Sequence, residues 1–358
     1  MDAPAKQGFT MQQNGLSSVR SRWRDAARLG YAILRGRLTG APIILSHLVT
    51  TRCNCICETC LWRGLGDGDE LTADQIAEAY RDAANGGIVL LTLWGGEPLL
   101  RVDLPQIVAQ AAQAGLQPTL ITSCVRLPER LDELAPHLRG LICSLDAPGP
   151  LHDRMRGCPG LYDRVIESIR LAQRHWPHVR VMINAVVSRL NEREVSGLVR
   201  LAKDLGVGIY VHPIETGWAG SRGAPPPKGS LALPPQRLSA VFSELLAMKR
   251  AGWPVNNTAT YLRFIAQGRT HYRCHARKVY IEMRPNGDFV DCLDRSRPAA
   301  NVRQRRLRDL LADPAIRRLR MMPTDCHVCR NANVVDCSNV WSLRPEPLLS
   351  LLRLYMRN

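Results

Sequence analysis

The amino-acid sequence contains no apolar run long enough to span a membrane, and its first 18 residues lack the apolar core of a secretory signal. We therefore expect no membrane-spanning helix and a cytoplasmic location. Acidic residues are also in the minority, because 32 Asp and Glu stand against 48 Lys and Arg, a formal net charge of +16. This excess favours an anionic partner such as nucleic acid or a membrane surface, or it serves solubility and an anionic substrate.

The twelve cysteines and the hydrophobic content of 45% indicate a globular protein that binds metal. The apolar content can fill an ordinary core, and 358 residues suffice for one large domain and a smaller one. The cysteines are clustered at metal-binding spacings. In a cytoplasmic chain, this clustering favours metal ligation over disulfide bonds.

Apolar runs and helical patterns alternate six times between residues 43 and 212. This alternation predicts a parallel sheet covered by helices, and the chain order favours an α/β fold, a partial (β/α)6 barrel of the TIM type. The strands are predicted at 43–49, 88–94, 118–122, 140–145, 180–187 and 207–212. The predicted divisions are a basic amphipathic extension (1–40), the barrel (41–215), a Pro/Gly-rich linker with a helix (216–270), a small cysteine-rich module with a β-hairpin and a helix (271–345) and an apolar tail (346–358).

The first predicted strand leads into a cysteine loop. Cys53, Cys57 and Cys60 have the spacing CxxxCxxC, and three thiolates on one loop can hold three corners of an iron–sulfur cube while the fourth iron stays open. Cys55 falls outside this spacing. The same pattern suits zinc, so a zinc site and a set of reduced thiols are the alternatives.

Polar residues end several of the following strands, where a parallel barrel places its chemistry. Strand two ends in Gly95-Gly96-Glu97-Pro98, whose glycines let the backbone approach a ligand while Glu97 supplies an acceptor. Ser144 and Asp146 alternate at the end of strand four, so both side chains can face the barrel mouth. Asn184 lies inside an apolar strand, where an amide needs a hydrogen-bond partner.

The cysteine loop followed by Gly95-Gly96-Glu97-Pro98 on the next strand resembles the radical S-adenosylmethionine (radical SAM) enzymes. The resemblance implies a [4Fe-4S] cluster on Cys53, Cys57 and Cys60, with SAM on the open iron and reductive cleavage of SAM to a 5′-deoxyadenosyl radical. Thr59 departs from the family, which commonly has an aromatic residue before the last cysteine. The resemblance further implies that SAM or substrate is bound by Gly95, Gly96, Glu97, Pro98, Ser123, Ser144, Asp146, Arg156, Asn184 and His212.

A second group of cysteines follows the barrel. Cys274 precedes two apolar runs joined by Pro285-Asn286-Gly287-Asp288, a hairpin signal that brings Cys274 and Cys292 to the same end. A basic helix predicted at 304–321 leads to Cys326, Cys329 and Cys337.

The order of these elements resembles the SPASM module of radical SAM enzymes, or its shorter twitch form. The resemblance implies a second [4Fe-4S] cluster on Cys274, Cys292, Cys326 and Cys329, with Cys337 as a spare or replacement ligand. A zinc ribbon is the alternative.

Both ends of the chain have an apolar surface. Residues 16–38 predict a basic amphipathic helix, and residues 347–358 form a short apolar tail. Each can pack on the barrel or lie on an anionic bilayer, which would place the protein at the inner face of a membrane.

We expect a radical SAM enzyme that receives an electron from a reduced flavodoxin or ferredoxin and abstracts hydrogen from an unactivated carbon. The second cluster would accept a substrate electron or bind substrate. The 50 residues before the cysteine loop look too short and too Arg-rich for the peptide-binding domain of peptide maturases, which favours a small-molecule or lipid-like substrate. The alternatives are a ribosomal-peptide maturase of the SPASM type, an RNA-modifying enzyme that binds phosphates through arginines between residues 303 and 320, and a non-catalytic zinc- or iron-binding protein.

Overall fold

Six parallel strands form the central sheet. The computed structural model describes residues 8–60, 69–215, 231–290, 298–322 and 329–356. The strands are β1 (Ile44–Thr50), β2 (Leu90–Gly95), β3 (Gln117–Thr122), β4 (Gly140–Ser144), β5 (Arg180–Val187) and β6 (Gly208–Pro213). Each strand pairs in parallel with the next one in the chain. The predicted α/β barrel order is therefore confirmed.

Helices alternate with these strands and bury one face of the sheet. They are α1 (Gly8–Thr39), which precedes β1, and α2 (Ala73–Asn85), α3 (Leu104–Gln113), α4 (Leu127–Leu134), α5 (Pro150–Arg156), α6 (Leu161–His175) and α7 (Val195–Asp204). Leu45 of β1 and Leu91 and Leu93 of β2 share one core with Ile76 and Tyr80 of α2. Alternate strand residues thus face the helices, and the intervening ones face the inside of the barrel.

The sheet continues beyond β1 into the C-terminal part of the chain. β7 (Tyr280–Met283) pairs in parallel with β1, and β8 (Asp288–Val290) and β9 (Ala300–Asn301) follow in antiparallel order. The predicted hairpin is confirmed, and Gly287, with a φ of 89°, supplies the left-handed position of its turn. The hairpin extends the barrel sheet and lies next to the strand that leads into the cysteine loop.

The C-terminal helices pack on the barrel. They are α8 (Pro235–Arg250), α9 (Ala259–Ala266), α10 (Ala276–Val279), α11 (Leu307–Ala312), α12 (Pro314–Met321), α13 (Ala332–Trp341) and α14 (Pro345–Met356). The prediction of one helix over 304–321 is wrong, because Pro314 has no N–H with which to continue α11. Asp313 instead caps α12 and accepts a hydrogen bond from the Ala315 N–H at 2.7 Å.

The two ends of the chain pack together beside the start of β1. Leu29 and Ala32 of α1 share a small core with Ile43 and with Trp341 of α13, and α14 lies against α1. No helix in the described ranges is long and apolar enough to cross a membrane. Several apolar side chains of the two end helices are nevertheless exposed, namely Trp23, Tyr31, Leu34, Leu38, Leu349 and Leu352.

Candidate active site

The cysteine loop leaves β1 and is held by the last turn of α5. The Ile56 N–H donates to the Arg156 carbonyl at 3.0 Å, and the Glu58 N–H donates to the Met155 carbonyl at 3.1 Å. Gly157 lies so close that a Cβ there would be 2.2 Å from Ile56 Cγ1. These contacts fix the loop backbone without regular secondary structure.

The thiols of the loop interact with one another. Cys53 is exposed, Cys57 and Cys60 are half-buried, and Cys55 is buried. The Cys55 N–H donates to Cys53 Sγ at 3.4 Å. Interaction with the Cys55 side chain lowers the pKa of Cys53 to about 7 and that of Cys57 to about 6. The Arg156 charge also lowers the pKa of Cys57. Thiolates are the metal-binding form of cysteine, so the lowered pKa values favour metal binding by Cys53 and Cys57. Cys55 contributes to this by lowering the pKa of both neighbours.

The arrangement of the loop cysteines fits an iron–sulfur cluster. Within the described ranges, no three His, Cys, Asp or Glu side chains form a group that could hold one metal ion. A cubane presents a separate iron to each cysteine, so its ligands need not converge on one ion. Three thiols on one short loop, two of them with a lowered pKa, match that requirement.

Gly95 and Gly96 lie directly against the first residues of the cysteine loop. The Gly96 N–H donates to the Thr50 carbonyl and the Glu97 N–H to the Arg52 carbonyl, both at 2.8 Å. A Cβ on Gly95 would lie 2.3 Å from the Thr50 oxygen, and a Cβ on Gly96 would lie 2.2 Å from the Arg52 oxygen. The contact between the end of β2 and the loop therefore requires glycine at both positions.

The Glu97 carboxylate is fully buried and joins the ends of β2 and β3. One oxygen accepts hydrogen bonds from the Leu99 N–H at 3.0 Å and the Thr122 hydroxyl at 2.7 Å. The other accepts from the Ser123 N–H at 2.7 Å and from the Ser123 hydroxyl. Pro98 begins a short 3₁₀ turn directly after it. Since a carboxylate has about four acceptor positions, Glu97 is saturated within the chain, and its contact with SAM stays a prediction.

Asp146 and Arg156 form a buried ion pair at the end of β4. Arg156 Nε donates to Asp146 Oδ2 at 2.7 Å, and the Val186 N–H donates to Oδ1 at 2.9 Å. The two side chains are 1% and 14% exposed. Burial raises the pKa of Asp146, but the Arg156 charge and the hydrogen bonds outweigh it and hold that pKa below its ordinary value.

Two residues that no sequence motif indicated hold this strand end in place. His152 Nδ1 accepts a hydrogen bond from the Asp146 N–H at 3.1 Å. Asn191 Nδ2 donates to the carbonyls of Asp146 at 2.7 Å and Val186 at 2.8 Å. Burial lowers the pKa of His152 to about 4, so its ring is neutral. Their roles depend on contacts between separate elements, which leave no local pattern.

Beside the ion pair lie polar groups that have no hydrogen-bond partner among the described residues. Asn184 is opposite Ser144 in the β4–β5 register, and His212 is opposite Val186 in the β5–β6 register. The side chains of Asn184 and His212 and both Nη groups of Arg156 make no hydrogen bond within the described part of the chain. Burial lowers the pKa of His212 to about 4, so the imidazole is neutral. A polar ligand at this end of the barrel would meet donors and acceptors from three strands.

Comparison with known families identifies the class of this site. Residues 48–202, from β1 into α7, match the model of the radical SAM superfamily. Over these residues, the chain is similar to the radical SAM superfamily. Enzymes of this superfamily use a [4Fe-4S] cluster and SAM, and both the cysteine loop and Gly95-Gly96-Glu97-Pro98 lie within the matched residues.

Two curated radical SAM enzymes and one solved structure show how far the similarity extends. The chain is 33% identical over 180 residues to the AdoMet-dependent heme synthase of Methanosarcina barkeri, which is 48% of this chain and 50% of that protein. It is 36% identical over 172 residues to the PqqA peptide cyclase of Ruegeria pomeroyi, which is 46% of this chain and 45% of that protein. The chain thus spans about half the length of these relatives. SuiB of Streptococcus suis, solved with bound S-adenosylmethionine, has the same fold, with a TM-score of 0.65 and 16% identity over 97% of this chain and 82% of that chain.

The second cysteine group is only partly described, because Cys292 and Cys326 lie outside the described residues. Cys274 and Cys329 are buried in one small cluster, and both thiols interact with the Tyr272 hydroxyl. Burial raises the pKa of Tyr272, and interactions with these two cysteines raise it further. The structure therefore brings together two of the four predicted ligands.

Cys337 has different surroundings from Cys274 and Cys329. It lies on α13, its thiol is 2.9 Å from the Tyr280 hydroxyl, and it packs against the core that α13 shares with α1. Burial raises the pKa of the Cys337 thiol to about 12. These surroundings favour the interpretation of Cys337 as a spare cysteine.

Several of the arginines that were expected to bind phosphate form contacts within the protein instead. We call these arginines the basic row. It comprises Arg303, Arg305, Arg306, Arg308, Arg317, Arg318 and Arg320. Arg305 pairs with Asp313 at 2.6 Å and Arg306 with Asp82 at 2.8 Å, while Arg320 is buried and donates to three backbone carbonyls. These contacts disfavour the RNA-modifying alternative, because they reduce the positive charge available to phosphates.

Proposed function

We propose that the chain holds its [4Fe-4S] cluster through Cys53, Cys57 and Cys60 and abstracts hydrogen from an unactivated substrate carbon. The observation that supports this most strongly is the position of the cysteine loop, which is bonded on one side to the end of β2 and on the other to the last turn of α5. When bound, the cluster supplies the electron that splits SAM into methionine and a 5′-deoxyadenosyl radical.

The polar side chains at the ends of β4, β5 and β6 suit the binding of SAM. Arg156 offers two Nη groups, which is the bidentate donor that a carboxylate accepts. Asn184 can pair with a ribose hydroxyl or a carboxylate, and the neutral His212 can donate or accept a hydrogen bond to substrate. Asp146 orients Arg156 before any ligand arrives, so binding requires little reorganisation. The backbone of Gly95 and Gly96 would receive the SAM amino group.

A second cluster on Cys274, Cys292, Cys326 and Cys329 is part of this proposal. It is supported by the shared environment of Cys274 and Cys329 and by a hairpin that extends the sheet from β1. Such a cluster would accept an electron from the substrate or bind it. A reduced flavodoxin or ferredoxin would supply the electron for SAM cleavage.

For the substrate, we favour a small-molecule or lipid-like compound met at a membrane surface. The exposed Trp23, Tyr31, Leu34 and Leu38 of α1 and the net charge of +16 suit an anionic lipid interface. A ribosomal-peptide maturase is the second candidate, and the 36% identity to a PqqA peptide cyclase favours it.

Anaerobic reconstitution tests the reaction. Counting iron and sulfide should give about eight irons per chain for two cubane clusters and about four for one. The reduced protein should form 5′-deoxyadenosine from SAM, and substitution of Cys53, Cys57 or Cys60 by Ala should abolish this product. Zinc in place of iron, with no product, would favour the non-catalytic alternative.

Liposome flotation tests the substrate proposal. Vesicles with anionic lipids should carry the protein, and Leu34→Ser with Leu38→Ser should weaken that binding, because both side chains are exposed on α1. Binding to a precursor peptide in the absence of vesicle binding would favour the peptide maturase.

A further inference from the structure

The C-terminal part of the chain is tied to residues 69–71, which lie between the cysteine loop and α2 and are called the end of the loop here. Arg303 Nη1 pairs with Asp69 Oδ2 at 2.5 Å, and Nη2 donates to the carbonyls of Asp69 at 3.0 Å and Glu70 at 3.1 Å. The Leu71 N–H donates to the Pro285 carbonyl at 2.7 Å, which lies in the hairpin turn between β7 and β8. Two separate contacts thus join this region to residues 69–71.

The contacting C-terminal residues form one unit. The Val302 N–H donates to the Gly287 carbonyl at 2.8 Å, which ties the residue before Arg303 to the hairpin turn. A Cβ on Gly287 would lie 3.2 Å from Leu71 Cδ2, so the turn itself packs against the end of the loop. The hairpin turn therefore holds the backbone next to Arg303 in place.

The same loop end is bonded to the loop start. One Glu70 oxygen accepts from the Thr50 hydroxyl, and the carboxylate accepts from Arg52 Nε at 3.2 Å and Nη2 at 3.1 Å. The buried Arg101 donates to the Val49 carbonyl at 3.0 Å and the Leu71 carbonyl at 2.9 Å. The two ends of the segment that carries Cys53, Cys57 and Cys60 are therefore held together by side chains.

We propose that Arg303 is a positioning residue through which the C-terminal hairpin region holds residues 69–71 against the start of the cysteine loop, so that the loop retains its cluster. The inference rests on the assignment of this loop as the cluster-binding segment. The Asp69 side chain is 83% exposed, so its ion pair is screened and contributes little by itself. The two carbonyl contacts carry the effect, because the planar guanidinium donates to them and to the carboxylate at once, a geometry that lysine cannot reproduce.

The test compares Arg303→Ala and Arg303→Lys with a matched control, Arg305→Ala. Arg305 is two residues away and pairs with Asp313, and it makes no hydrogen bond or ion pair with the described residues 69–71. Amide hydrogen exchange on the full chain, metal-free and reconstituted, reports the Leu71 N–H directly. Iron release to a chelator reports how tightly the loop holds the cluster.

We expect Leu71 exchange and iron release to be several-fold faster in both Arg303 variants and unchanged in Arg305→Ala. The SAM concentration for half-maximal 5′-deoxyadenosine formation should rise in the Arg303 variants. Equal exchange in the Arg303 and Arg305 variants would overturn the inference, and so would faster exchange without faster iron release. Should the parent protein hold no cluster, the proposed function itself fails, whereas exchange in the metal-free protein still reports the Arg303 contact.

Discussion

Replacing Gly96 by alanine tests the contact between β2 and the cysteine loop. The new Cβ would lie 2.2 Å from the Arg52 carbonyl oxygen and 2.7 Å from the Thr51 oxygen. An ordinary contact is about 3.5 Å, so the loop start or the end of β2 has to move by about 1 Å. Both neighbours are backbone atoms and cannot rotate away, and Cys53 is the next residue along the loop.

Two losses are expected from Gly96→Ala. Overpacking of this kind costs about 1–3 kcal/mol of the free energy of unfolding. Displacement of the cysteine loop by about 1 Å should lower SAM cleavage by up to about 100-fold, since small errors in reacting geometry have effects of that size. Urea unfolding of the metal-free protein measures the first, and 5′-deoxyadenosine formation by the reconstituted protein measures the second.

Gly30→Ala is the matched control for this substitution. Gly30 is exposed on α1, and a Cβ there would meet nothing within 4 Å. Alanine should stabilise the helix by about 0.5–1 kcal/mol and leave SAM cleavage unchanged. If Gly96→Ala matched the parent protein in both stability and cleavage, the close contact between β2 and the loop would be refuted.

Two further substitutions probe the interior around the site. Glu97→Gln places an NH₂ group against hydrogen-bond donors, so it should lower the free energy of unfolding by about 3 kcal/mol in urea titration; a change below about 1 kcal/mol would contradict the saturated carboxylate. Burial, aided by the Arg101 charge, lowers the pKa of His47 from 6.5 to about 3. Below pH 6.5, His47 therefore binds a proton in the unfolded chain but not in the folded chain. This difference alone should lower the free energy of unfolding by about 2 kcal/mol between pH 7 and pH 5. His47→Asn, which can still bond the Tyr80 hydroxyl, should lose correspondingly less over that range in urea unfolding, and an unchanged pH dependence would contradict the assignment.

The barrel was predictable because its signals are local. Each strand from Ile44–Thr50 to Gly208–Pro213 is a short apolar run between helical patterns, and the parallel order follows from the connecting helices. The Asn286-Gly287 turn was predictable for the same reason, since the turn type requires a left-handed position. The break at Pro314 was also visible locally, because a proline has no N–H with which to continue a helix.

The remaining features depend on partners distant in the chain. From the sequence, Gly96 is expected to let a ligand approach the backbone. In the structure, the atom next to Gly96 is the carbonyl oxygen of Arg52. Asn191 and His152 support Asp146 through hydrogen bonds that no spacing encodes. The sequence around Arg303 suggests a nucleic-acid surface. In the structure, Arg303 pairs with Asp69, which lies more than 200 positions earlier in the chain.

The formation of 5′-deoxyadenosine by the reconstituted, reduced protein tests the central claim most directly. The parent protein should form it from SAM, and Cys53→Ala, Cys57→Ala and Cys60→Ala should not. Cys55→Ala should still form the product, because Cys55 is not one of the three ligands. Product formation by any of the three ligand variants, or none by the parent protein with its cluster intact, would contradict the account.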